Sequence, residues 1–141
     1  MRLRIGPFDP ALHVRSRDHY EAVRREAQLL ALGNDSPPRR LDELVDRLNA
    51  EFPDGGIDPV VDKAYLAGEA TVTAEQTVPD ELVGAALAAC DELERLLDEL
   101  DAWARDRGAN LLEAPPDVRA HRVALLGQVR EQLRAALPAA R

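Results

Sequence analysis

Between residues 79 and 107, apolar positions recur in alternating steps of four and three: Leu82, Ala86, Ala89, Leu93, Leu96, Leu100 and Trp103. This is the heptad seam of one amphipathic helix, predicted to start at Pro79 and to end at Gly108 and Asn110. Another side of the same helix carries Asp91, Glu94, Asp98 and Asp101. One element therefore joins an apolar stripe to an acidic stripe, and the first needs other helices to cover it.

Weaker periodicities fill in the rest. Tyr20, Val23, Ala27 and Leu30 share a helical face, with Ser16 as the expected N-cap and Gly33 with Asn34 as the stop. After Ser36, Pro37 and Pro38, the positions Leu41, Leu44, Val45, Leu48 and Phe52 predict a second helix, halted by Pro53, Asp54, Gly55 and Gly56. Val60, Val61, Ala64 and Tyr65 predict a short helix before Gly68, and the alternation that follows to Thr73 predicts an irregular or strand-like connector. Val118, Leu125, Leu126, Val129, Leu133 and Leu137 predict a last helix after Pro115 and Pro116. Residues 1–15 alternate loosely (Leu3, Ile5, Leu12, Val14) around Gly6, Pro7 and Pro10, which predicts an extended arm or a short strand. The expected architecture is all-α: a helical bundle with an extended N-terminal arm and a long C-terminal antiparallel helical hairpin. It is read as one domain over 1–141 with a hinge near 68–79.

Composition supports helices, with 45% hydrophobic residues but only 4% aromatic among 141 positions. Cys90 is the only cysteine, so neither an internal disulfide nor a thiolate metal cage is expected. The charged start and the absence of a long apolar run point to a cytoplasmic protein without a membrane span. Charge divides unevenly: residues 1–40 hold eight arginines against five acids, whereas the formal total for the chain is −8. An acidic body repels phosphate backbones and anionic lipid, which argues against nucleic acid and membranes as partners.

Several chemistries lack their required spacing. No GxGxxG or GxxxxGK[ST] loop is present to cradle a phosphate, and no HExxH helix sets two imidazoles on one face. Asp54, Asp58 and Asp62 do not follow the alternation of a calcium loop. GxSxG is absent, and Ser16 and Ser36 are the only serines. No cofactor, metal ion or catalytic residue is expected. Cys90, among alanines and leucines, reads as a small buried hydrophobe, and His19 as solvent-facing.

The reading that follows is a non-enzymatic interaction or regulatory module, fitting a bacterial signalling complex, that docks through a helix face. Leu93, Leu96, Leu100 and Trp103 would bury themselves against a second copy or another protein, and Asp91, Glu94, Asp98 and Asp101 would form an acidic docking face. The alternative centres on His121. The run Ala120-His121-Arg122-Val123-Ala124-Leu125-Leu126-Gly127 resembles the histidine motif of phosphorelay transfer domains, which are acidic helical bundles. That resemblance implies an exposed His121 as phosphoacceptor. It departs at Ala124, where the motif has lysine, and at Leu125, where it has a small residue.

Overall fold

Leu3 and Ile5 alternate with arginines near one end of the chain, and Val72 and Ala74 alternate with threonine and glutamate some seventy positions later. In the computed structural model, which describes residues 1–30, 35–52, 56–109 and 112–137, these two runs pair. Strand β1 (Arg2–Phe8) lies antiparallel to β2 (Val72–Thr77), with Arg2 opposite Thr77 and Ile5 opposite Ala74. The other elements are α1 (Pro10–Leu29), α2 (Pro37–Glu51), α3 (Asp58–Leu66), α4 (Val83–Asp106) and α5 (Pro116–Ala136). The protein is thus mostly helical, as expected, with a small two-stranded sheet added to the helices. The arm read as extended or a short strand and the connector read as irregular or strand-like supply each other's backbone partners.

Pairing shifts register between Ile5 and Phe8, and Gly6 sits there at φ 127°. A Cβ at this position would meet the Val72 carbonyl oxygen at 2.6 Å, so only glycine fits. The free edge of β1 is sealed by α5. Gln132 accepts from the Arg4 amide at 2.8 Å and donates to its carbonyl at 2.7 Å, while Gln128 accepts from the Gly6 amide at 2.8 Å. Two glutamines one helical turn apart thereby stand in for a third strand.

Helix α1 starts seven residues before its expected start. Asp9 is the N-cap, its carboxylate accepting from the Ala11 amide at 2.9 Å, and Pro10 opens the first turn. Ser16 is therefore not a cap; it lies inside the helix at 7% exposure. The long helix also begins later than expected, because Asp80–Leu82 form a single 3₁₀ turn ahead of α4. Gly108, at φ 67°, ends it as expected. The stops assigned to Gly33, Asn34, Asn110 and Pro53 to Gly55 lie outside the described residues.

Two apolar clusters hold the elements together. Leu3, Ile5, Val72 and Ala74 on the inner face of the sheet pack with Val61 and Ala64 of α3 and Leu133 of α5. Val23, Leu41, Leu44 and Leu126 pack around Leu96, Leu97, Leu100 and Ala104 of α4. Among the described residues, no helix is long and apolar enough to cross a membrane.

Candidate functional site

The residues that the sequence assigns to docking fall in different places. Leu100 is fully buried and Leu96 is 3% exposed, both inside the second cluster, so the C-terminal half of the seam is covered by α1, α2 and α5 of the same chain. Leu96 and Leu100, expected at an interface, thus have their cover within the chain itself. Leu93 and Trp103 are only partly buried, and the Arg107 guanidinium lies over the Trp103 ring, 4.9 Å from its centroid.

The acidic stripe makes ion pairs within the chain. Arg130 pairs with Asp91 at 2.9 Å and with Glu94, and Arg122 pairs with Asp98 at 2.8 Å and Asp101 at 2.9 Å. On the other flank of α4, Arg47 and Arg40 of α2 hold Glu92 and Glu99. The expected docking face thus also forms ion-pair ladders between helices, with Asp91 and Asp98 still about half exposed. The signal lay in α5, where Arg119, Arg122 and Arg130 recur at helical spacing to match the acids.

Arg122 and Asp101 are the deepest of these groups, 5% and 4% exposed. It also donates to the Tyr20 hydroxyl at 2.9 Å, and Asp101 accepts from the Ala114 amide at 3.0 Å. Burial opposes the Arg122 charge, but Tyr20 and Asp101 outweigh it and hold the guanidinium above its ordinary value. The Tyr20 hydroxyl is pushed up by burial against the pull of Arg122. His19, expected in solvent, is half-buried beside Tyr20; burial lowers its pKa, and its Nε2 has no hydrogen-bond partner among the described residues.

A second polar cluster joins α1 to α5 and was not foreseen. His13 Nδ1 and His121 Nε2 lie 2.8 Å apart, and Phe8 at the end of β1 packs on both rings. A contact of this length requires one nitrogen to donate and the other to accept, so the pair shares one proton. His13 Nε2 is 3.6 Å from Asp58, which also faces Arg17 at 3.5 Å; His13 and Arg17 together hold the Asp58 carboxyl below its usual range. Burial, then the neighbouring His13, lowers the pKa of His121, which is 8% exposed. His121 therefore lacks the open imidazole that phosphoryl transfer needs. Among the described residues, no three His, Cys, Asp or Glu side chains converge as a metal-ligand set.

Of the openings that border α4 among the described residues, two reach Leu93 of the seam. One, of about 210 Å³, lies between the polar α1 stripe His13, Ser16, Arg17 and Tyr20 and the leucines Leu93, Leu97, Leu125 and Leu126. The other is an apolar groove of about 220 Å³ where Leu48 and Phe52 face Ala86, Ala89, Cys90 and Leu93, floored by Leu3, Val78, Val129 and Leu133. Burial pushes the Cys90 thiol up, leaving it a poor thiolate. Set against known proteins, the chain matches no family model, no curated protein and no solved structure.

Proposed function

We propose that this protein is a non-enzymatic interaction module that receives a partner's apolar side chains in the groove beside the N-terminal half of α4. The observation that carries the reading is a seam covered along only half its length: Leu96 and Leu100 are buried, while Ala86, Ala89 and Leu93 line an open groove. The groove's 220 Å³ falls below the range of about 300–1,000 Å³ usual for small-molecule pockets, and suits one aromatic or two aliphatic side chains of a docking helix. In this reading the domain is a helical bundle built on an α4–α5 antiparallel hairpin. The ion pairs support it, since Arg122 meets Asp101 while Arg130 meets Asp91. Leu93 remains the docking residue of the seam, and the partner is another protein rather than nucleic acid or a membrane.

Cys90 provides the test, because it lines the groove. Peptides selected from a displayed random library for binding to the protein should slow alkylation of Cys90 and should lose affinity at least tenfold in Ala89→Glu. Binders that leave Cys90 alkylation unchanged and tolerate Ala89→Glu would refute the groove as the docking site.

A further inference from the structure

The two edges of the small sheet are treated differently. Met1 and Val78 exchange both backbone hydrogen bonds across the strands, at 2.7 and 2.9 Å, so the directly bonded pairs continue at Leu3 with Gln76 and at Ile5 with Ala74. Antiparallel geometry then turns the amides and carbonyls of alternate residues away from the partner strand. On β1 those are Arg4 and Gly6, the groups that Gln132 and Gln128 satisfy. On β2 they are Thr73, Glu75 and Thr77, and none of their backbone groups has a protein partner among the described residues. Two of the usual devices that blunt an edge, proline and lysine, are missing from β2, whose one charge is Glu75.

We propose that the β2 edge accepts an extended segment of a partner protein as a third strand, with a basic side chain of that segment set opposite Glu75. Charge selects this occupant. Glu75 is the only charged residue of β2, is exposed, and is held only by a solvent-exposed pair with Arg2 at 3.3 Å. A second copy of this chain pairing antiparallel through the same edge, centred on Glu75, would set the two Glu75 carboxylates against each other, which disfavours self-pairing. Thr73 and Thr77, exposed on either side, suit threonine or valine in the incoming strand. The α4 groove reaches β2 at Gln76, on the face of the strand opposite the exposed Thr73, Glu75 and Thr77, so either surface can be right without the other.

Amide hydrogen exchange on the full chain reads the edge directly. The probe is a capped seven-residue peptide of threonine and valine with one central arginine, compared with the same peptide carrying glutamate. The arginine peptide should slow exchange at Thr73, Glu75 and Thr77 at least tenfold while leaving the amides of β1 unchanged. The glutamate peptide should bind about tenfold more weakly, and Glu75→Lys should reverse that order. The proposal is overturned if the arginine peptide protects none of these amides, or if Glu75→Lys leaves the preference unchanged. It is also overturned if raising the concentration of the protein alone protects them, which would assign the edge to a second copy. Leu93→Glu, which alters the groove, should leave the peptide effect intact; its loss there in a folded variant would merge the two surfaces and refute this one.

Discussion

Replacing Arg122 with methionine should be among the most damaging single changes in this protein. The side chain donates to Tyr20 and pairs with Asp98 and Asp101, and Asp101 is 4% exposed. Removing one partner of a buried pair leaves an uncompensated carboxylate, at a cost of about 3–5 kcal/mol. The Ala114 amide at 3.0 Å and Arg119 at 3.9 Å still reach Asp101, which places the expected loss near the lower end, about 3 kcal/mol. That is a large part of the roughly 5–15 kcal/mol that holds a typical domain folded. Pairing the change with Asp101→Leu removes the stranded charge, so the double variant should recover much of the loss and the two effects should be strongly non-additive. Urea unfolding of wild type, both single variants and the double variant measures the coupling, with an unchanged urea dependence to show that the folded and unfolded states are comparable. A cost below about 1 kcal/mol for Arg122→Met, or additivity across the cycle, would show that the ladder is solvated and that the acidic stripe remains free for a partner.

Three further outcomes are expected. Leu100→Ala should destabilise the chain by about 2–5 kcal/mol at every protein concentration, because Leu100 is fully buried within its own fold; a loss of oligomer without a loss of stability in sedimentation and unfolding would contradict this. Gly6→Ala should cost more than 1 kcal/mol in thermal unfolding, since the new methyl meets the Val72 carbonyl and φ is positive; a neutral result would mean that the strand crossing is looser than described. Acid should act in two stages: His19 and His121 titrate below 6.5 because they are buried, so their contribution is complete above about pH 6.5 and shrinks as pH falls below it. Asp58, held below 3.8 by His13 and Arg17, loses its contribution only at lower pH, and an unfolding midpoint unchanged between pH 7.5 and 5.5 would refute the first stage.

Local pattern by itself determined much of the helical content, because a period near 3.6 is written into every ten-residue window of a long amphipathic helix. The seam through Leu96 and Leu100, the Pro37 start of α2 and the Gly108 stop of α4 all come from neighbours in the chain. Capping was less secure, since Ser16 and Asp9 both have the chemistry of a cap and only the packing of Pro10 and Ser16 chose between them. Tertiary structure alone decided what each face meets. A strand needs a partner from elsewhere, so the extended arm and the strand-like connector became one sheet only when Leu3 and Ile5 found Gln76 and Ala74. The acidic stripe looks the same in sequence whether solvent, a partner or α5 faces it, and the fold gave it to Arg122 and Arg130. His13 and His121 are 108 positions apart, a separation at which no spacing rule operates, and their contact exists because α1 and α5 pack on the end of β1.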